Sequence, residues 1–176
     1  AVLKANELRE ARLRITVTGG AVRAESDEPP QSTLLVTAAG QASYPASYYA
    51  EGMAVATAAA RVNPADLIAP HKTLAYWPRL LTLQAARARH CGEALWFTVL
   101  DNLAEGCVSN VFLVVGGRVL TPSLDTPVLP GIARAAVIEL CKAESIPVEE
   151  RLLARDDVNA AAEAFLTNSI MEVMPV

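Results

Sequence analysis

Leu13, Ile15 and Val17 alternate with Arg14, Thr16 and Thr18 and stop at Gly19-Gly20, a two-residue period that predicts a half-buried strand ending in a turn. Glu7 to Arg14 is polar and helix-friendly, which predicts the end of a helix running into that strand. Beyond the polar, Pro-rich stretch Asp27-Glu28-Pro29-Pro30, Thr33 to Thr37 is a short β-branched run and predicts a second strand. Small and polar residues from Ala39-Gly40 to Ser43-Tyr44-Pro45 have the composition of a linker. The expected organisation is therefore a partial N-terminal α/β domain over residues 1–40, a linker over 41–48 and a C-terminal α/β domain over 49–176.

Met53 to Ala58 predicts a weak strand, and Asn63-Pro64 and Ala69-Pro70 bracket a loop. From Pro78 to His90 the period changes to that of a helix. Leu80, Leu81, Leu83 and Ala85 are apolar, Arg79, Gln84, Arg87 and Arg89 polar, and Pro78 suits the first turn. Ala94 to Leu100 is an apolar, aromatic and β-branched run. Val111 to Val115 and Arg118 to Thr121, joined by Gly116-Gly117, predict a hairpin. Three consecutive strands point to a mixed or antiparallel sheet. Ile132 to Cys141 predicts a helix after Leu129-Pro130-Gly131, and Val148 to Leu153 and Ala164 to Thr167 predict further strands. The fold class is α/β with mixed sheets.

Composition narrows the function. With 52% hydrophobic and 19% charged residues the 176-residue chain can bury a core, so disorder is excluded. No stretch approaches the roughly 20 uninterrupted apolar residues of a membrane span, and the start lacks a secretory layout. A net charge of −4, without a Lys/Arg run longer than two, lacks the footprint of a nucleic-acid binder. Cys91, Cys107 and Cys141 are odd in number and lack metal-ligand spacing, which predicts reduced thiols, no structural metal and a cytoplasmic protein.

Three short elements could carry chemistry: His71-Lys72-Thr73 before a helix, Glu105-Gly106-Cys107-Val108-Ser109-Asn110 between strands, and Leu129-Pro130-Gly131-Ile132 opening a helix. Taken singly, each has a plain structural explanation as a solvated charge, a turn and a helix entry. His90 at a helix end and Tyr44, Tyr48 and Tyr49 near the linker likewise need only dipole contact and packing. Cys107 has no neighbouring base that would make its thiol a nucleophile.

Together, in order, these elements resemble the fold-type IV pyridoxal-phosphate enzymes, which include branched-chain and D-amino-acid aminotransferases and aminodeoxychorismate lyase. The matching stretches are His71-Lys72-Thr73-Leu74, Leu103-Ala104-Glu105-Gly106 with Ser109-Asn110-Val111-Phe112, and Thr121-Pro122. They continue with Leu129-Pro130-Gly131-Ile132 with Arg134, and the closing segment through Asn168-Ser169 to Met174-Pro175-Val176. The resemblance runs from Leu8 to the end and implies a remnant of the small N-terminal domain followed by most of a larger pseudo-barrel domain, the chain being shorter than the family at both ends.

The resemblance also implies roles. Lys72 would form the internal aldimine with pyridoxal 5'-phosphate and carry the proton, and Glu105 would hold the pyridine nitrogen protonated. Gly131, Ile132 and Ala133 would bind the phosphate at a helix N-terminus, with the Ser169 hydroxyl added. Leu129 would pack on a ring face, and Asn110 and Asn168 would supply hydrogen bonds around cofactor or substrate. Arg14 and Tyr76 are candidates for the substrate side. Ala133 stands where many members have Thr, and Ala75 where several have Asn. The implied activity is amino transfer between an amino acid, possibly branched-chain, and a 2-oxo acid through a pyridoxamine form, in a homodimer. The alternatives are a lyase releasing pyruvate from aminodeoxychorismate and a non-catalytic remnant of the scaffold.

Overall fold

The computed structural model describes residues 1–21, 30–40 and 43–176, which divide into two units, Ala1–Ser43 and Tyr44–Val176. In the first, the helix α1 (Val2–Ala5) precedes strands β1 (Arg12–Val17) and β2 (Leu34–Ala39), paired antiparallel from Arg12 opposite Ala39 to Val17 opposite Leu34. The helix ends earlier than the polar stretch from Glu7 predicts. Asn6 Nδ2 donates to Val2 O at 2.9 Å, and Glu7 takes a φ of 54°, a conformation that no helix continues through. The alternation of β1 does make a strand, yet Leu13, Ile15 and Val17 remain exposed on this two-stranded sheet. Residues 27–29 of the Pro-rich stretch and residues 41 and 42 of the expected linker lie outside the described residues.

The second unit begins with α2 (Ala46–Glu51), in the stretch whose composition suggested a linker; Tyr44 and Tyr48 pack against the central core. Then come β3 (Val55–Val62), α3 (Trp77–Arg87), β4 (Glu93–Thr98), β5 (Leu103–Gly106), β6 (Asn110–Val115) and β7 (Arg118–Pro122). They are followed by α4 (Ile132–Ala143), β8 (Val148–Arg151), α5 (Arg155–Ala160), β9 (Glu163–Asn168) and β10 (Glu172–Pro175). One sheet has the order β3-β4-β5, the other β10-β9-β6-β7-β8. Both are mixed: β3 with β4 and β7 with β8 are parallel, the remaining pairs antiparallel. Each parallel pair is joined through a helix, α3 or α4, because parallel neighbours need a long crossover.

Side chains on the two faces of each sheet enter different cores. Leu95 and Phe97 of β4 join Leu103, Val111, Leu113, Leu120 and Leu166 between the sheets, whereas Ala94 and Trp96 face Leu83 and Ala86 of α3. Phe112 of β6 turns the other way, stacks on Phe165 at 4.9 Å between centroids and lies with Ile138 and Cys141 of α4. The layers are therefore helix, sheet, sheet, helix. Strands covered on both sides carry unbroken apolar runs, which explains why all six residues of β4 are buried.

The short α5 is closed by Asp157, which accepts Arg151 Nη2 at 2.6 Å and the Ala154 N–H at 2.7 Å. The Arg151 hydrogen bond holds this carboxyl below its ordinary value of 3.8. Such a depressed group adds stability above the ordinary value, and the gain disappears as the pH falls through the lower folded value. Asp157→Ala is expected to lose about 1 kcal/mol at neutral pH by urea unfolding, and less in acid. An equal loss at both would exclude the charge as the cause.

Candidate functional site

Glu105 on β5 is 5% exposed, an acid in a strand whose four residues are all buried. Three donors hold it. Oε1 meets Arg79 Nη2 at 2.6 Å, and Oε2 accepts the Leu129 N–H at 2.9 Å and Asn110 Nδ2 at 3.3 Å. Burial pushes its carboxyl above the usual carboxylate range; Arg79, the Leu129 N–H and the Lys72 ammonium act against burial without cancelling it. Asn110 Nδ2 also donates to Leu129 O at 2.8 Å, so strand β6 fixes both the acid and the segment leading into α4.

That segment ends in Gly131, the N-cap of α4. No side chain caps this helix and its first turn holds no acid, so its N-terminal N–H groups keep their positive field unneutralised. A Cβ on Gly131 would run into Asn110 Oδ1, which explains glycine here without any appeal to unusual backbone angles. Ile132 is exposed and Ala133 half-buried. Arg134, one turn in, is buried, donates from Nη2 to Pro122 O at 2.8 Å and Glu150 Oε2 at 2.7 Å, and braces the helix start from beneath.

Lys72 lies exposed in the loop before α3, with Nζ 5.6 Å from the Tyr76 ring centroid. The Tyr76 hydroxyl donates to Cys107 O at 2.9 Å, and burial pushes its pKa up. Lys72, Arg79 and Glu105, with the neutral Tyr76 hydroxyl among them, thus form one polar cluster at the entrance to α3. Asn168 serves a turn: Oδ1 accepts the N–H groups of Ile170 and Met171, each at 2.8 Å, and Nδ2 donates to Val108 O at 3.1 Å. Ser169 is exposed on that turn. Leu129 is half-buried beside Glu105, and Arg14 is exposed on β1 in the other unit.

Two further polar residues of the site belong to no motif in the sequence. Glu93, fully buried at the head of β4, accepts the N–H groups of Ala94 and Cys107 at 2.9 Å on Oε1, and the Val108 N–H and Ser109 Oγ at 3.0 Å on Oε2. It gathers the β5–β6 turn onto itself. Gly106 must be glycine there, since a Cβ would meet Ser109 Oγ and lie 3.0 Å from Glu93 Oε2. The other is Arg79, read from its spacing only as the polar face of a helix. Its Nη1 donates to Gly106 O at 2.7 Å and its guanidinium sits 5.4 Å from the Trp96 ring centroid. The signal for Glu93 was an acid at the front of the apolar run Ala94-Leu95-Trp96-Phe97. Cys107, between them, is fully buried and its thiol is pushed up to about 12, chiefly by burial, so it is no nucleophile.

A buried acid and an uncapped helix N-terminus are joined by one hydrogen-bonded segment, with Lys72 nearby, on the helix–sheet–sheet–helix scaffold of an α/β protein. Residues 1–176 match the amino-transferase class IV family, and the chain belongs to it. It is 30% identical over 177 residues to a putative branched-chain-amino-acid aminotransferase of Methanocaldococcus jannaschii, covering 99% of this chain and 60% of that protein. The structure of the Escherichia coli branched-chain amino acid aminotransferase superposes with a TM-score of 0.88 at 28% identity, covering 99% of this chain and 59% of the other. That of the 4-amino-4-deoxychorismate lyase of Pseudomonas aeruginosa gives 0.80 at 26%, covering 93% and 62%. The chain thus spans about 60% of the length of these relatives. Among the described residues no helix is long and apolar enough to cross a membrane, and no group of His, Cys, Asp and Glu is arranged to hold a metal ion.

Proposed function

We propose that the protein is a pyridoxal 5'-phosphate-dependent aminotransferase that exchanges an amino group between an amino acid, branched-chain in the first instance, and a 2-oxo acid. The observation that carries this is the continuity of the site. The Glu105 carboxylate is bonded to Leu129, which leads within two residues to the bare N-terminus of α4, while the Lys72 ammonium is close enough to act on the same carboxylate. Acid, base and anion-binding end are the three things this cofactor requires. When bound, its ring supplies an electron sink for the bonds at the substrate's α-carbon.

The chain's own residues do the rest. Lys72 Nζ would hold the cofactor and carry a proton at that nitrogen. Glu105 would keep a proton on the cofactor's ring nitrogen. The N–H groups of Ile132 and Ala133 would take the phosphate with Gly131 giving room, and the Ser169 hydroxyl would add a donor, while Ala133 offers none from its side chain. Leu129 would pack against the cofactor ring, Asn110 fixes Glu105 and Leu129 relative to each other, and Tyr76 lies beside Lys72. Asn168 remains a candidate for the substrate side. Exposed Leu67, Leu74, Trp77, Leu80 and Leu81 around the Lys72 loop support a homodimer, and three free cysteines suit the cytoplasm.

A second reading, a lyase releasing pyruvate from aminodeoxychorismate, is supported by the likeness to the Pseudomonas lyase and shares the same proton removal; assay of pyruvate from that substrate against amino transfer separates them. The test of the common site is incubation with pyridoxal phosphate, borohydride reduction and peptide mapping. Label is expected on Lys72 and on neither Lys4 nor Lys142. Label only on Lys4 or Lys142, or none, would overturn the proposal.

A further inference from the structure

A carboxylate has about four lone-pair positions. In Glu105 three are filled: one on Oε1 by Arg79, two on Oε2 by Leu129 and Asn110. The remaining position is on Oε1, the oxygen that the guanidinium holds at 2.6 Å. Arg79 is itself fixed on three sides, by Oε1, by Gly106 O and by the Trp96 ring, and its side chain is 16% exposed. A guanidinium does not deprotonate, so the cation of this pair persists at every working pH.

We propose that Arg79 is a positioning residue of the cofactor site, which turns Glu105 so that the last open acceptor position on Oε1 faces the ring nitrogen, and which shares that oxygen with the ring N–H. This rests on the function proposed above. Sharing has a direction: a carboxylate already satisfied by a cation is a weaker acceptor for a second proton donor, so Arg79 moderates how firmly the ring proton is held. The groups facing Glu105 are Arg79 from α3, Lys72 and Tyr76 from the preceding loop, Asn110 from β6 and the Leu129 N–H. Glu93 of β4 lies near enough to act on Tyr76 and Cys107, and its oxygens are occupied by the β5–β6 turn. Arg79 is thus the permanent cation of the cluster, since Lys72 is the amine that would hold the cofactor.

The test has two arms. In the cofactor-free protein, carboxyl-13C glutamate is followed by NMR against pH, the Glu105 signal being the one lost in Glu105→Gln. Arg79→Met is expected to move the Glu105 titration upward by about 1–3 pH units, and Arg79→Lys to recover part of that shift. In the loaded protein, 15N-pyridoxal phosphate reports ring protonation directly, and Arg79→Met is expected to hold the ring proton to higher pH than wild type. Should Arg79→Met fail to fold, Arg79→Lys, which keeps the charge and loses the fork, carries the comparison: a smaller upward shift supports the proposal. Titrations unchanged in the folded variants overturn it. Failure of the wild-type protein to take the cofactor at all defeats the proposed function, and this inference with it; cofactor binding without any effect of Arg79 defeats the inference alone.

Discussion

Lys72→Ala is expected to abolish borohydride-fixed labelling by pyridoxal phosphate completely while leaving the unfolding midpoint in urea where it was. Lys72 is exposed, with Nζ 5.6 Å from the Tyr76 ring centroid, so truncation removes little packing, within about 0.5 kcal/mol. The chemistry lost has no substitute. The amine is the only group in the cluster that can form a covalent bond to a carbonyl carbon; Arg79 cannot deprotonate and Tyr76 donates its hydroxyl to Cys107 O. Lys72→Arg is expected to fail equally, which separates nucleophilicity from charge. A Lys72→Ala chain that still retains label after reduction would remove Lys72 from the mechanism.

Glu93→Ala is expected to be the most destabilising single change at the site, by about 3 kcal/mol or more in urea unfolding. Its loss strands the N–H groups of Ala94, Cys107 and Val108 and the Ser109 hydroxyl around a buried position, each at roughly 1–3 kcal/mol before relaxation. Glu93→Gln keeps the shape but points an amide N–H₂ at donors, so it is expected to recover only part of the loss. Cofactor labelling should fall with stability in both, because the β5–β6 turn carries Gly106, whose carbonyl anchors Arg79. An unchanged midpoint in Glu93→Ala would show that the turn holds itself without the acid.

The elements legible in the sequence are those whose own residues decide them. Gly116 and Gly117 both adopt positive φ, 56° and 76°, the demand of a tight hairpin turn, and the flanking runs became β6 and β7. Apolar spacing likewise found α3 and α4. The six-residue helices α2 and α5 and the strand β10 were not found, because segments so short draw their stability from what they pack on rather than from local preference. The same limit applies to the site. Lys72 and Glu105 were picked out by the likeness of their motifs to a family; spacing alone would have left them a surface charge and a turn. Glu105 instead lies in a buried strand because its partners come from α3, β6 and the segment before α4, and no window of neighbouring residues contains them. Arg79 was hidden for the same reason.

The two tryptophans stand in opposite surroundings. Trp77 is 68% exposed, whereas Trp96 is buried with its indole N–H 3.3 Å from Cys107 Sγ and the Arg79 guanidinium over its face. Their emission therefore separates into a component open to aqueous quenchers and one shielded from them. The shielded component looks directly at the cation that grips Glu105, which gives the protein an internal optical gauge of its charged cluster, readable without any added label.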